Sequence, residues 1–283
     1  MGYTNLVSAT TLTTHLEDPN WLIFDCRFSL GDTNYGQNNY KRGHITGAYF
    51  VDLNKDLSSP VRDYTGRHPL PDFKVLTEKL NHWGANNQIQ IVVYDDVCNG
   101  FAARMWWLLR TMGHTDVAVL DGGFSNWLKL KLPVTTVLPK NARKGQFRMY
   151  LDDSKWLQAS EIENGLARNN ILVIDARTVE RFRGLQEPID PVAGHIPKAI
   201  NRPFQANIDE NGLFKPTSEI RNQFLGIIKT FSPEQVVHMC GSGVTAINNL
   251  LAMEVAGLHG SKLYAGSWSE WITNKNRAVA TAE

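Results

Sequence analysis

VVHMCGSGVTAINNLL, residues 236–251, changes its pattern twice within a short stretch. Residues 236–239 form an apolar, β-branched run that is typical of a buried strand. From residue 247 onward, apolar residues recur at helical spacing and define one stripe. This stripe contains Ile247, Leu250, Leu251, Val255 and Leu258. Cys240 therefore lies at the carboxyl end of a strand and before a helix, which is where open α/β sheets bind ligands.

The turn after the cysteine contains two glycines, Gly241 and Gly243. Glycine reaches backbone conformations that are closed to other residues, so neighbouring N–H groups can point inward at one spot. We expect that spot to be the sulfur of Cys240, held as a thiolate by these groups and by the positive end of the following helix. The same arrangement suits a persulfide sulfur one atom further out. The alternative is a buried structural cysteine, which is our interpretation of Cys26 and Cys98, because neither has such a turn behind it.

Two copies of one pattern make up the chain. The matching stretches are WLIFDCR (21–27) with ILVIDAR (171–177), KRGHITGAYFVDL (41–53) with VAGHIPKAINRPF (192–204), and LDGGFSNWL (120–128) with YAGSWSEWI (264–272). A gapless alignment of residues 91–113 with residues 235–257 puts Asp96 opposite Cys240. A carboxylate cannot replace a thiolate in sulfur chemistry, so the first copy is predicted to be non-catalytic.

Each copy alternates strands with helices. A short apolar strand ending in Asp is followed by a Gly-His-Ile turn, a second strand, an amphipathic helix, a central strand and another helix. This order predicts an α/β fold, a tandem duplication in which each copy is a mainly parallel sheet flanked by helices. The stretch 133–146 has prolines and polar residues without periodicity and is interpreted as a linker. We place the domains at residues 1–140, linker included, and 141–283.

Charge and cysteine content exclude several classes of protein. The 29 basic residues are balanced by 28 acidic ones, so neither nucleic acid nor a membrane surface is expected as a partner. Three widely spaced cysteines favour free thiols in a reducing compartment, and no C-x-x-C pair suggests zinc. The N-terminus has no export signal, and no run of about 18 apolar residues occurs. These features predict a cytoplasmic protein.

The loop CGSGVTA (240–246) on a duplicated fold resembles that of the two-domain rhodanese family, and is similar to the loop of the members that use mercaptopyruvate. The resemblance extends through both Gly-His-Ile motifs and through GRHPLP (66–71), RFRG (181–184) and YAGSWSEW (264–271). It implies a sulfurtransferase without metal or organic cofactor. The cysteine would take a sulfane sulfur from a small anionic donor, hold it as a persulfide, and pass it to a thiol, a thioredoxin-like protein or cyanide.

The resemblance also assigns roles to individual residues. Cys240 matches the nucleophile, and the loop that cradles the persulfide matches Gly241, Ser242, Gly243, Val244 and Thr245. Arg183 matches the arginine that binds the donor's anionic group, and a guanidinium fork suits a carboxylate or sulfonate. His68, with Arg67 beside it, matches a histidine that faces the cysteine. Arg183 could instead form a surface ion pair with Glu180 or Glu187, and His68 could be an exposed turn residue.

Two differences from the family pattern leave the identity of the sulfur donor undecided. Ile189 of EPID stands where mercaptopyruvate-using members carry a second arginine, and Asn54 stands where they carry Asp. Thiosulfate-preferring members carry cations in the loop after the cysteine, whereas this loop has only small neutral residues. Because the neutral loop touches the transferred sulfur, we favour 3-mercaptopyruvate and keep thiosulfate as the alternative.

Two other classes compete with a sulfurtransferase. A cysteine phosphatase needs an arginine to clamp the phosphate, and Ala246 occupies the position where that arginine would stand. A non-enzymatic binding or regulatory module describes the first copy, which lacks the cysteine. The second copy keeps a complete reactive loop, for which a pure scaffold has little use.

Overall fold

A computed structural model describes residues 2–97, 100–139 and 144–281. The chain divides into two compact units. Unit 1 contains Met1–Ser59, Leu70–Asp152 and Asp209–Phe214, and unit 2 contains Pro60–Pro69, Asp153–Ile208 and Lys215–Glu283. The segment Pro60–Pro69 therefore packs within unit 2. The predicted boundary at residues 140 and 141 lies outside the described residues.

Unit 1 is built on one parallel sheet. Its strands are Leu6–Val7 (β1), Trp21–Asp25 (β2), His44–Ile45 (β3), Tyr49–Phe50 (β4), Gln90–Tyr94 (β5), Val117–Leu120 (β6) and Val134–Thr135 (β7), and its helices are Ala9–Thr13 (α1), Tyr35–Arg42 (α2), Phe73–His82 (α3), Phe101–Thr111 (α4) and Gly123–Lys129 (α5). The five-stranded sheet has the order β1-β6-β5-β2-β4, with parallel pairing throughout. β3 and β7 form a separate antiparallel pair, so part of the predicted linker is a short strand.

Unit 2 repeats this plan. Its strands are Trp156–Leu157 (β8), Leu172–Asp175 (β9), Ile200–Asn201 (β10), Val236–Met239 (β11) and Lys262–Tyr264 (β12), and its helices are Ala159–Arg168 (α6), Val179–Arg183 (α7), Thr217–Ile228 (α8), Ala246–Val255 (α9) and Ser267–Trp271 (α10). Single 3-10 turns occur at Asp153–Lys155, Phe204–Asn207 and Pro233–Gln235. The sheet order is β10-β9-β11-β12-β8, again with parallel pairs. The α/β prediction of two parallel sheets flanked by helices is confirmed.

The strand before Cys240 lies in the middle of its sheet. β11 pairs with β9 on one side and with β12 on the other, and all four of its residues are buried. A strand that is covered on both faces is mostly apolar, which explains the valines and the methionine of β11. His238 is its one polar residue, and its Nε2 lies 3.3 Å from Sδ of Met253. The helix α9 that follows it begins at Ala246, as the apolar stripe predicts.

Two polar residues of α9 that lie outside the apolar stripe, Asn248 and Asn249, are also buried. Their side-chain oxygens accept hydrogen bonds from Asn207, and Asn249 also accepts one from Arg202. A buried amide is stable only when it is paired in this way. The helix is therefore held from the side opposite its apolar stripe by a polar cluster that periodicity does not predict.

Strand pairing corrects the internal alignment by one residue. Met239 lies opposite Asp175, and Tyr94 lies opposite Asp25 at the same place in the other sheet. The structural counterpart of Cys240 is therefore Asp95, not Asp96. The carboxylate of Asp95 accepts the backbone N–H of Ala102. The conclusion that the first copy has a carboxylate in place of the thiol is unchanged.

No helix among the described residues is long and apolar enough to cross a membrane. Within the same ranges, no group of three or more His, Cys, Asp or Glu residues is placed to hold a metal ion.

Candidate active site

Cys240 follows the last residue of β11 and is a free, buried cysteine with 2% of its surface exposed. Burial alone acts to raise the pKa of this thiol. The Thr245 side chain and the backbone N–H groups of Ser242, Ala246 and Val244 oppose that effect by donating hydrogen bonds to the sulfur. Their combined effect prevails, and the pKa of Cys240 lies below its ordinary value. Hydrogen-bond donors of the turn therefore face the sulfur, while the roles predicted for Cys240 and this loop stay predictions.

The outer side of the same turn is held by α10. The carbonyl oxygens of Cys240 and Gly241 accept the N–H groups of Trp268 and Ser269 at 3.0 and 2.9 Å. The N–H of Cys240 donates to the Ser267 hydroxyl at 3.1 Å. Because these carbonyls are bound on the outside, the turn can direct its remaining N–H groups toward the sulfur.

Gly243 is required for this backbone path. Its φ of +74° lies in the left-handed region, and an added Cβ would overlap the carbonyl oxygen of Ala265. A side chain at this position would therefore push the turn away from β12 and disturb the hydrogen bonds to Cys240.

Segment Pro60–Pro69 brings His68 to the turn. His68 Nδ1 and Ser242 Oγ lie 2.7 Å apart in a buried hydrogen bond. The neighbouring backbone N–H of Arg67 donates to Ser269 Oγ at 3.0 Å, which ties the segment to α10. His68 is thus not an exposed turn residue. It lies beside Ser242 of the turn that follows the cysteine, and its role at the site stays a prediction.

Two arginines approach the turn at Gly241. A Cβ placed on Gly241 would lie 2.8 Å from Nη2 of Arg67 and 3.4 Å from Nη2 of Arg181. Burial lowers the pKa of Arg67, an effect that the charge of Cys240 opposes. Arginine nevertheless remains a cation in proteins. Two positive charges therefore lie beside Gly241, the residue that follows Cys240.

Arg181 is a candidate functional residue that the sequence argument did not identify. Arg183, the predicted donor ligand, is exposed at the end of α7, whereas the Arg181 side chain is only 15% exposed and pairs with Glu187 at 2.8 Å and Asp190 at 3.0 Å. Residues two apart on a helix point to different sides, so RFRG contains one arginine for each side. The motif alone does not say which side faces the cysteine. The role predicted for Arg183 remains a prediction.

Cys26 does not share this environment. Cys26 is buried, and desolvation together with the charge of Asp25 raises its pKa well above the ordinary value. A buried, protonated thiol agrees with the structural interpretation. Cys98 lies outside the described residues.

In the described part of the chain, the histidines of the two Gly-His-Ile motifs contact backbone carbonyl oxygens of their own unit. His44 Nδ1 lies 2.7 Å from the carbonyl oxygen of Tyr40, and His195 Nδ1 lies 2.8 Å from that of Phe182. His195 also stacks on the Phe182 ring. These contacts fit the structural role expected of residues that occur in both copies.

The chain is similar to known proteins in both sequence and fold. The family model described as rhodanese-like domain matches residues 8–130 and 158–274. A protein of Pseudomonas aeruginosa named "Probable 3-mercaptopyruvate sulfurtransferase" is 44% identical over the full length of both chains. The thiosulfate sulfurtransferase of Rattus norvegicus is 31% identical over 90% of this chain and 86% of its own. The crystal structure of the Escherichia coli 3-mercaptopyruvate sulfotransferase SseA matches with a TM-score of 0.81 and 31% identity, over 95% of this chain and all of SseA.

Proposed function

Since this chain belongs to the rhodanese-like domain family and is a sulfurtransferase, we propose that it carries sulfur on Cys240 as a persulfide and takes it from 3-mercaptopyruvate in preference to thiosulfate. The observation that carries this proposal is the set of hydrogen bonds donated to the Cys240 sulfur by the following turn. These bonds favour the thiolate, which is the nucleophilic form of cysteine.

The first half-reaction loads the enzyme. The Cys240 thiolate attacks the sulfur of 3-mercaptopyruvate and forms an S–S bond. The carbon–sulfur bond of the donor breaks, its electron pair remains on carbon, and that carbon receives the donor's thiol proton, so that pyruvate leaves. Cys240 is left with one additional sulfur as a persulfide anion.

The second half-reaction unloads it. A thiolate or cyanide attacks the outer sulfur, leaves with it as a new persulfide or as thiocyanate, and returns the Cys240 thiolate. No oxidant or reductant is consumed in either step. We therefore propose that the residues of this chain suffice without metal or organic cofactor. The need for a reduced thiol favours the cytoplasm as the compartment.

The hydrogen-bonded pair of His68 and Ser242 can carry the proton in the first step. An imidazole and a hydroxyl 2.7 Å apart can relay a proton between a donor thiol and a developing carbanion. Both side chains are buried beside the Cys240 turn. We propose that they move the thiol proton to the pyruvate carbon.

The donor carboxylate is assigned to Arg67 and Arg181, the guanidinium groups beside Gly241. Paired guanidinium forks suit a carboxylate with an adjacent carbonyl oxygen, which offers several acceptors. The absence of a cation within the 241–245 loop and the relative that is 44% identical both support 3-mercaptopyruvate. Thiosulfate is the second candidate, because two neighbouring cations also suit a dianion.

A direct test compares the two donors. We expect kcat/KM for 3-mercaptopyruvate to exceed that for thiosulfate, and the isolated protein to gain about 32 Da, one sulfur, on treatment with donor alone. Cys240→Ser should remain folded, gain no mass and transfer no sulfur, whereas Cys26→Ser should behave as the unmodified protein. Faster turnover of thiosulfate would establish the second candidate. A mass gain in Cys240→Ser would contradict the assignment of the nucleophile.

A further inference from the structure

Asp190 connects the two arginines that face the turn. Its Oδ1 accepts a hydrogen bond from Nη1 of Arg67, and its Oδ2 accepts one from Nη2 of Arg181. The Asp190 side chain is only 3% exposed, so the carboxylate is nearly removed from water. Arg67 thus binds Asp190 through Nη1 and directs Nη2 toward Gly241, whereas Nη2 of Arg181 both binds Asp190 and lies close to Gly241.

The arginines and carboxylates around Asp190 balance in charge. Arg177 binds Asp175 at 2.7 Å and Glu187 at 3.2 Å, and Glu187 also binds Arg181. With Arg67 and Asp190 included, the network contains three guanidinium groups and three carboxylates. A donor entering beside Gly241 therefore meets arginines whose positive charge is already balanced by carboxylates, next to the negative charge of the Cys240 thiolate.

A neutral network discriminates between donors by their charge. 3-Mercaptopyruvate with a neutral thiol is a monoanion, whereas thiosulfate is a dianion. In a poorly solvated site, each negative charge in excess of the available positive charge is costly. Asp190 and Glu187 already neutralise much of the positive charge of Arg67 and Arg181, so little of it is left to compensate the second negative charge of thiosulfate.

From this arrangement we propose that Asp190 is a specificity-determining residue, which positions Arg67 and Arg181 and makes the site prefer a monoanionic donor to a dianionic one. The inference rests on the proposed function, because it concerns the donor of the same reaction. Asp190 would disfavour the dianionic donor by repulsion as much as the arginines favour the monoanionic donor by attraction.

The test is Asp190→Asn, which removes one negative charge and keeps the size of the side chain. We expect the ratio of kcat/KM for thiosulfate to kcat/KM for 3-mercaptopyruvate to rise about 10-fold or more. Glu219→Gln is the matched control, because it removes the carboxylate charge of an exposed side chain of α8 in the same unit and should leave the ratio unchanged. An unchanged ratio in Asp190→Asn, or an equal rise in Glu219→Gln, would overturn the proposal.

A second variant keeps the proposal testable if Asp190→Asn does not fold. Arg67→Gln removes a positive charge from the same network, so the ratio should fall about 10-fold. A ratio that stays constant or rises in this variant would contradict the role given to the network charge.

A third measurement separates this inference from the proposed function. Iodoacetate is an anion and iodoacetamide is neutral, and both alkylate Cys240 without any sulfur transfer. The ratio of the two alkylation rates should rise in Asp190→Asn and fall in Arg67→Gln. If wild-type protein transfers no sulfur from either donor, the proposed function fails, while the alkylation ratios still decide whether Asp190 controls anion selectivity at Cys240.

Discussion

Replacing Thr245 by Val tests the origin of thiolate stability at Cys240. The Thr245 side chain donates a hydrogen bond to the sulfur, alongside the backbone N–H groups of Ser242, Val244 and Ala246. Valine has nearly the shape of threonine but has no hydroxyl. The substitution therefore removes one donor and leaves the others in place.

The size of the effect follows from the energy of a hydrogen bond to a charged group. Such a bond contributes about 1.5 to 3 kcal/mol, and one pKa unit corresponds to about 1.36 kcal/mol. The pKa of Cys240 should therefore rise by about 1 to 2 units in Thr245→Val. The rate of alkylation by iodoacetamide, followed across pH by intact mass, should show its midpoint displaced upward by that amount.

Thr245→Ser is the matched control, because serine keeps the hydroxyl. Its midpoint should stay close to that of the wild type, and Cys26 should remain unmodified in all three proteins because it is buried with a raised pKa. Equal midpoints in the Val and Ser variants would refute the argument that the side chain of residue 245 stabilises the thiolate.

Thr245→Val should also change how the free energy of unfolding depends on pH. The folded-state pKa of Cys240 is lowered, so the thiolate contributes stability above the pKa of the unfolded thiol, and this contribution is lost as pH falls through the folded pKa. Thr245→Val should therefore lower the free energy of unfolding more at pH 9 than at pH 6. A loss that is equal at the two pH values would indicate a packing defect instead.

Three further changes address the turn, the donor and the core. Gly243→Ala should abolish sulfur transfer and lower the melting temperature, because φ is +74° and the Cβ would overlap Ala265; normal activity would show that the backbone path is not required. Arg181→Ala should raise KM for 3-mercaptopyruvate about 30- to 150-fold, equivalent to about 2 to 3 kcal/mol, and more than Arg183→Ala does; the reverse order in steady-state kinetics would restore the original assignment to Arg183. Burial and the charge of Arg202 lower the pKa of His238 to about 3, so this side chain stays neutral in the folded protein. As pH falls below 6.5, the pKa of the unfolded histidine, the unfolded state binds a proton that the folded state does not, and the free energy of unfolding falls by about 2 kcal/mol at pH 5. Calorimetry of His238→Leu should show a smaller loss of stability between pH 7.5 and 5 than the wild type; parallel curves would argue against a buried neutral His238.

Local patterns were sufficient to predict where the candidate nucleophile, Cys240, lies in the fold. The order of apolar strand, cysteine, glycine-containing turn and amphipathic helix is written in consecutive residues, and short-range backbone geometry turns it into a strand end followed by a helix. The N–H groups around Cys240 are a consequence of that geometry. Repetition along the chain likewise predicted two parallel sheets, because alternating strands and helices have few other ways to bury their apolar faces.

The short elements at the start of each unit were not predicted. β1 and β8 have only two residues each, and α1 has five. Segments of this length carry too few residues to show a period. The one-residue error that paired Asp96 with Cys240 has a related cause, since two adjacent aspartates match equally well and only strand pairing distinguishes them.

By itself, the sequence determined the fold class and the duplication and singled out Cys240 as the candidate nucleophile, because these depend on residues that are close together in the chain. Only the tertiary structure decided which charged side chains meet that cysteine. The segment that carries Arg67 and His68 lies more than a hundred residues from Cys240 in sequence, yet packs within unit 2. The position of Asp190 between Arg67 and Arg181 likewise follows only from the three-dimensional packing of these two arginines. Side chains from distant segments are brought together by packing and electrostatic pairing in three dimensions, and no periodicity in one segment records which residue of another will stand against it.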